Sequence, residues 1–589
     1  MCGIIGYAGN KDAPEVVLKG LKKLEYRGYD SWGIITGNFD LVKNIGKIGH
    51  IQRHDLNLRV HTLAIGHTRW STHGGVTLEN AHPHLSQDKS IAVVHNGIIE
   101  NYQQLKAMLQ KEGFVFVSET DTEVIPHLLQ KYYKETQDFK KAFKKMLNKI
   151  DGSYAILAIQ KGNRGIYFAR NGSPLVLGVG KNEYFVASDV PAFLEYSNQV
   201  IFLEDNQYGT IGTEEIGKEI QIFDLKTHKK IISNIQTINW KLEEAEKGNE
   251  PHFMIKEIKE QQETIRKSVE QSSETFAKTV SMIKDARGVF LIGCGTSYHA
   301  CLSASYQFAH LAKMHINVVL ASEFRNYTSF LNSKSLIIAV SQSGETADVI
   351  DAIKIAKEKM VKVLSIVNVK GSTIERLSDH CINMQAGPEI CVVSTKAYTA
   401  ELAILSLLAL TLTEKIEDAR KKILENISCL PRLIEENTIK LKKLAEKIKN
   451  QKSIFIIGRD IAYPAALEGA LKIKEVSYIH AEGFAGGELK HGTIALIEKG
   501  TPCIILATPE TRNLIISNAM EIKARGGFII GIDQEENNVY DETIIIPNSG
   551  CGNALILTIP LQILAYHLAV ARGCDVDKPR NLAKSVTVK

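Results

Sequence analysis

The chain has no C-x-x-C pair, no G-x-x-x-x-G-K-[ST] run, no basic leader and few tryptophans. Each absence closes a class. Nine cysteines, an odd number without close pairing, argue against a disulfide framework and a zinc ribbon, and fit a reducing cytosol. The start, MCGIIGYAGNKD, lacks a basic region and a long apolar run, so no signal peptide is expected. The longest apolar stretch is read as Leu402 to Leu412, too short for a bilayer and suited to a buried core helix. A net charge of +5 over 589 residues, unclustered, speaks against a nucleic-acid partner. SQSGET is no nucleotide P-loop without its lysine. Gly293-Cys294-Gly295 is no dinucleotide fingerprint, because Tyr298 stands where the third glycine belongs. The expectation is a soluble, cytoplasmic protein without cofactor, metal or membrane partner. What remains is an ordinary globular mixture, 44% hydrophobic and 23% charged, long enough for about two to four domains.

The most informative stretch is Met1-Cys2-Gly3. Removal of Met1 places a thiol and a free α-amine on one residue. The amine titrates at roughly 7.7–8.0 and the thiol at about 8.5, so the amine can take the thiol's proton. Gly3 leaves the sulfur open to a substrate.

Up to about residue 235 the chain reads as strand-rich. Pro14 to Arg27 has helical spacing, as do Asn101–Glu112 and Thr122–Glu135. Short apolar runs such as TLAIGHTRW, SIAVVHNGII, SYAILAIQ and YFVAS read as strands, which predicts an α+β sandwich of antiparallel sheets. Four polar clusters stand out: Arg27 in EYRGYDS, Arg69 and Trp70 in GHTRW, Asn96-Gly97 in VHNGIIEN, and Asp121 in SETDTE. For an amino-acid amide substrate, Arg69 suits the α-carboxylate and Asp121 the α-ammonium. The Asn96 amide with the Gly97 N–H suits an oxyanion. Taken singly, Asn96-Gly97 is also a hairpin turn, Asp121 a helix cap and Arg27 a turn anchor. His82 and His84 around Pro83 resemble a metal pair without a third ligand, which favours a structural role.

From Asn239 to Arg287 the chain is polar, read as an exposed connection followed by one long amphipathic helix. Beyond Gly288 the pattern changes. GVFLIG, SLIIAV and VKVLSIVN are continuous apolar strands alternating with helices, and SIFIIG, TPCIILAT and GFIIGI repeat the plan. This predicts two doubly wound parallel sheets. Loops that leave such strands and open helices are anion sites, and Ser341, Ser343 and Thr346 add hydroxyls, or simply cap helices.

MCGIIGY, EYRGYDS, GHTRWSTHG, AHPH, HNGIIEN and ETDTE, in this order, resemble the class II glutamine amidotransferase domain, an N-terminal-nucleophile αββα sandwich. SQSGET, GPEICVVSTKAYT, EGALKIKEVSYIHAEGFAGGELKHG and PRNLAKSVTVK are similar to the sugar isomerase (SIS) domains of glutamine-dependent sugar-phosphate aminotransferases. The resemblance covers essentially the whole chain. It implies a glutaminase domain at 2–238, a linker and leading helix at 239–278, SIS domains at 279–420 and 445–575, and a tail at 576–589 that closes the sugar site. It implies L-glutamine and fructose 6-phosphate as substrates, glucosamine 6-phosphate as product, and a homodimer. Cys2 becomes the glutaminase nucleophile, with Asn96 and Gly97 at the oxyanion. Arg27, Arg69, Trp70 and Asp121 hold glutamine, and Trp70 gates an ammonia channel. Thr296, Ser297, Ser341, Gln342, Ser343, Thr346, Val392, Ser394 and Ala583 surround the sugar phosphate. Lys584 forms an imine with the ketone, and Glu475 moves a proton between C1 and C2. Lys472 and His491 assist, His491 from a second subunit.

The residue types suit that chemistry: isomerisation wants a carboxylate base and an electron sink, which a lysine imine supplies. Read without the resemblance, Lys584 is a solvated tail lysine, Glu475 a surface salt-bridge partner and His491 a loop residue. The common HGP is His491-Gly492-Thr493 here, and the linker lacks the insertion of eukaryotic forms that respond to a nucleotide sugar, which implies no strong feedback by that ligand. Two rival readings stand beside this one: amidotransfer to another sugar phosphate, and a non-catalytic sugar-phosphate sensor.

Overall fold

The opening residues form a strand, Gly3–Ala8, with every residue buried. Alternation sends Ile5 and Tyr7 toward a helix and Ile4 and Ala8 toward a second sheet. The computed structural model describes all residues except Met1, Thr72, 213–219, 239–245 and 588–589. Met1, the beginning of the expected linker and the last two residues of the tail therefore lie outside the described residues. The chain divides into two units, Met1–Leu242 with Ala583–Lys589, and Glu243–Leu582.

In the first unit Gly3–Ala8 sits inside an eight-stranded antiparallel sheet, between Glu183–Ala187 and Leu63–Arg69. A second sheet of seven strands carries Ile91–Ile99 paired with Gly152–Gln160. Apolar side chains from the facing sides of both sheets form one core. The helix Ala13–Leu24 packs on the outer face of the first sheet. The helices Val124–Thr136 and Phe139–Leu147 pack on the outer face of the second. This is the αββα sandwich. The strand Gly3–Ala8 and the helix Phe139–Leu147 are additions to the strands and helices read from the sequence.

In the second unit the segment expected as one long helix is three: Phe253–Lys259, Gln261–Val269 and Ser273–Asp285. The break has a local cause. Ser272 leaves helical conformation and its hydroxyl accepts from the Thr275 N–H, a cap that starts a new helix. Nor is this region a solvated face: Met254, Ile255, Ile258, Ile265 and Val269 are core residues.

Two five-stranded parallel sheets follow. In the first, Gly288–Gly293 lies between Asn317–Leu320 and Ser335–Ser341. In the second, Ser453–Gly458 lies between His480–Ala485 and Pro502–Leu506. Both have the strand order 2-1-3-4-5, whose switch point lies at the carboxyl ends of the first and third strands. One apolar core serves both sheets, with Lys396–Thr411 and Asn553–Ala571 at its centre. The second of these corrects the reading of 402–412 as the longest apolar stretch. Pro560, Gln562 and His567 interrupt the run in the sequence, yet Asn553–Ala571 has a mean hydropathy of 1.9. That is membrane-like by composition, but 89% of the window is buried against protein. It is a core helix.

Candidate functional sites

In the first unit four segments converge on Cys2. The Trp70 N–H donates to its Sγ at 3.2 Å. Two donors meet on its carbonyl oxygen, Asn96 Nδ2 at 2.8 Å and Arg27 Nε at 3.4 Å. Burial pushes the thiol above its ordinary value. The Trp70 N–H and the Arg69 charge work against that rise, and Asp121 adds to it. A thiol raised in this way needs a base to become a nucleophile at neutral pH.

Asn96 and Gly97 are not a hairpin turn; they lie inside the strand Ile91–Ile99, opposite Ala155 and Tyr154. Gly97 has φ +123°, and a Cβ there would come within 1.9 Å of the Ser153 carbonyl oxygen. Only glycine fits. Asp121 is not a helix cap either. Its Oδ2 accepts from the Ile99 N–H at 2.7 Å, two residues past Gly97. Arg69 is buried, and its guanidinium donates to the carbonyls of His73, Gly74 and Gly75, so it organises the loop after its own strand. Trp70 is half-buried and meets the Tyr29 ring edge-on at 5.7 Å. His82 and His84 are buried among protein partners: His82 stacks on His67 at 4.0 Å, and the Nε2 of His84 lies 3.1 Å from the Thr120 hydroxyl. Among the described residues no group of three or more His, Cys, Asp or Glu is arranged to hold a metal ion.

The second unit gathers a different set. Ser341 ends its strand, and its hydroxyl lies 3.0 Å from that of Thr346 and accepts from the Gly344 N–H. Thr346 occupies the cap position of Ala347–Glu358 without capping it, so the hydroxyls belong to the loop. Ser343 accepts from the Glu345 N–H, and Gln342 is half-buried beside it. The Val392 N–H donates to the Asp577 carbonyl, and Ser394 lies 3.5 Å from Glu389.

Thr296 and Ser297 open the helix Thr296–Ala312 and turn their hydroxyls to buried carboxyls. Thr296 donates to Glu468 at 3.1 Å, and Ser297 to Glu401 at 2.8 Å. Glu468, Lys472 and Glu475 stand on successive turns of Ala462–Ser477. Lys472 Nζ lies 3.2 Å from Glu468, 2.7 Å from Glu475 and 2.9 Å from Thr296 Oγ1. His299 Nδ1 reaches Glu468 at 2.8 Å. Burial alone pulls the Lys472 ammonium down, but the two carboxylates outweigh it and hold the group above its ordinary value. Burial likewise pushes Glu468 up, and Lys472 with His299 reverses the sign. Among the described residues no such cation lies at bonding distance of Glu401; burial drives its carboxyl well above the ordinary range.

Glu468, Glu401 and His299 were not found by reading the sequence. The available signal was a Glu–Lys–Glu set at i, i+4 and i+7 on a helix otherwise rich in alanine. His491 is exposed at the end of the turn Gly486–His491. Ala583 and Lys584 are half-buried and group with the first unit.

Residues 67–195 match the glutamine amidotransferase domain family, and residues 282–411 and 447–572 match the SIS domain family. Over its full length the chain is similar to proteins named glutamine–fructose-6-phosphate aminotransferase (isomerizing). That of Thermococcus kodakarensis is 45% identical over 607 residues and that of Pyrococcus horikoshii 45% over 602, each covering 100% of both chains. That of Caldanaerobacter subterraneus subsp. tengcongensis is 44% identical over 615 residues, again covering 100% of both. Among solved structures, the C-terminal domain of glucosamine-fructose-6-phosphate aminotransferase from Francisella tularensis is 33% identical with a TM-score of 0.53. It covers 57% of this chain and 100% of that one.

Proposed function

The chain belongs to the glutamine–fructose-6-phosphate aminotransferase (isomerizing) family, and on that premise we propose how its residues divide the work. The enzyme converts D-fructose 6-phosphate and L-glutamine to D-glucosamine 6-phosphate and L-glutamate. Cys2, its amine freed by loss of Met1, passes the thiol proton to that amine and attacks the glutamine amide carbon. Asn96 Nδ2 and the Gly97 N–H stabilise the oxyanion. The amine returns the proton to the leaving nitrogen, ammonia departs, and water hydrolyses the thioester to glutamate. Arg69 and Asp121 hold the amino-acid end of glutamine, with Arg27 and Trp70 beside them. The ammonia is used before bulk water can protonate it.

On the sugar side, the loop 341–346 and the start of the helix Thr296–Ala312 take the phosphate. Val392, Ser394 and Ala583 line the sugar. Lys584 condenses with the C2 ketone of the open chain, losing water to form an imine, and ammonia then displaces the lysine. Glu475 carries the proton between C1 and C2, with Lys472 held charged beside it. His491 serves the site of a second subunit in a homodimer, and its exposure here suits that role. The protein works in the cytoplasm without cofactor, nucleic acid or membrane.

The observation that carries this reading is the setting of Cys2: an N–H on its sulfur, two side-chain donors on its carbonyl, and a glycine-only oxyanion position on a strand of the facing sheet. The test is a product assay with glutamine and a panel of sugar phosphates, run with intact-mass analysis for Met1. Glutamate and glucosamine 6-phosphate are expected together, from fructose 6-phosphate. Cys2→Ala is expected to lose glutamate release and keep sugar isomerisation. Retained glutamine-dependent activity in Cys2→Ala, or full activity with Met1 in place, overturns the reading.

A further inference from the structure

We propose that Ser188 and Asp189 are positioning residues of the glutaminase half, a two-residue clamp that fixes both donors on the Cys2 carbonyl. The proposal rests on the glutaminase reading above. The strand Glu183–Ala187 runs antiparallel beside Gly3–Ala8, with Ala187 opposite Ile5. The two residues past its end therefore arrive next to Cys2.

Ser188 binds the nucleophile's own strand. Its N–H donates to the Ile4 carbonyl at 3.0 Å, and its Oγ accepts from the Ile4 N–H at 2.7 Å. The same Oγ accepts from Asn96 Nδ2 at 3.0 Å. Asn96 Nδ2 thus spends one proton on Ser188 and the other on the Cys2 carbonyl. Asn96 Oδ1 is buried and the Asn96 side chain also meets His67, so the two acceptors on Nδ2, Ser188 Oγ and the Cys2 carbonyl, set which way the amide faces. With one proton anchored on Ser188, the other is held at the Cys2 carbonyl, from which it switches to the glutamine carbonyl oxygen as that oxygen becomes the oxyanion.

Asp189 does the same for Arg27. Its Oδ2 accepts from Arg27 Nη1 at 3.2 Å and from the Tyr26 hydroxyl at 2.5 Å, while Oδ1 accepts from the Val190 N–H at 2.8 Å. Burial, reinforced by the Asp189 charge, holds the Tyr26 phenol far above its ordinary value, so Tyr26 remains a donor. Arg27 is left with Nε on the Cys2 carbonyl. No hydrogen bond joins Asp189 or Ser188 to the Cys2 sulfur; they act through Arg27 and Asn96.

The test uses the full-length enzyme and three readouts: glutamate-release kcat, KM for glutamine, and fructose 6-phosphate isomerisation. Ser188→Ala and Asp189→Asn are each expected to lower glutamate-release kcat by about tenfold or more, the scale of a misaligned oxyanion donor. KM is expected to stay within about threefold and isomerisation to stay at the wild-type rate, because a lost positioning contact acts on the transition state. Ser188→Thr, which keeps the hydroxyl, is expected to restore most of the rate. Loss carried by KM, parallel loss of isomerisation, or no rescue by threonine overturns the clamp. If the wild type releases glutamate and both variants match its kcat within about twofold, the clamp alone fails. If the wild type releases none, the glutaminase reading fails and the clamp with it.

Discussion

Lys472 and Glu475 meet at 2.7 Å one helical turn apart, and Lys472 has no exposed surface at all. A lysine so placed is stable only because Glu468 and Glu475 flank it, and Glu468 is equally buried. The arrangement keeps an ammonium next to the carboxylate proposed to move the sugar's proton.

Removing that ammonium has a predictable cost. Lys472→Met leaves Glu468 without its main counter-charge. It is expected to destabilise the protein by roughly 3–5 kcal/mol, the scale of an orphaned buried charge. Denaturant unfolding measures it. The double variant Lys472→Met with Glu468→Gln is expected to recover a large part of that loss, because the fully buried carboxylate is then no longer charged and only the part-exposed Glu475 has lost its cation. Sugar turnover stays lost in both, so stability and activity separate.

The fold was legible where one periodicity dominates. Continuous apolar strands announced the parallel sheets, and short apolar runs such as those at Ile91–Ile99 and Gly152–Gln160, with helical stretches between them, announced the sandwich. Gly3–Ala8 went unread as a strand because it is buried on both faces and its residues drew attention for their chemistry. The three helices between 253 and 285 merged into one because a serine cap looks, in sequence, like any polar residue on a solvated face. Of the candidate site, the motif residues that the structure brings to Cys2, namely Arg27, Trp70 and Asn96, were legible as a cluster. Glu468 was not, since a Glu–Lys pair at i, i+4 is ordinarily a surface pair. Only the packing of the helix all around makes it a buried one.

Acid is expected to weaken the first unit before carboxylates begin to titrate. Burial brings His67 down to about 3, and the neighbouring Arg69 and His95 act in the same direction, while its bond to the His95 carbonyl opposes them. His82, His84 and His95 are lowered as well, again by burial first. An unfolded histidine titrates near 6.5, so below that pH the unfolded chain binds protons that the folded one refuses. The contribution is whole above about pH 6.5 and shrinks as pH falls toward 3. His67 alone accounts for about 2 kcal/mol lost by pH 5. Thermal melts between pH 8 and 5 test this, and His67→Gln, which cannot charge, is expected to flatten the decline.

Lys584→Arg separates the two half-reactions. A guanidinium stays protonated up to about pH 12 and cannot form an imine. Conversion of fructose 6-phosphate is expected to vanish while glutamate release from glutamine persists. Loss of glutamate release with sugar isomerisation intact would reverse the assignment of the tail.

The loop 341–346 depends on Gly344, which has φ +64° and donates its N–H to Ser341. A Cβ on Gly344 would fall 2.1 Å from the Ser372 hydroxyl oxygen and 2.4 Å from its Cβ. Gly344→Ala therefore meets two separate penalties. The left-handed conformation costs alanine about 1 kcal/mol or more, and the clash forces either the loop or Ser372 to move. Displacing the loop displaces the hydroxyls proposed to bind phosphate, so KM for fructose 6-phosphate is expected to rise about tenfold or more, with glutamine hydrolysis unchanged. Ser372→Gly in the same chain removes the clash but not the backbone strain. The double variant is expected to regain part of the affinity and not all of it, and steady-state kinetics on the three proteins resolves the two contributions.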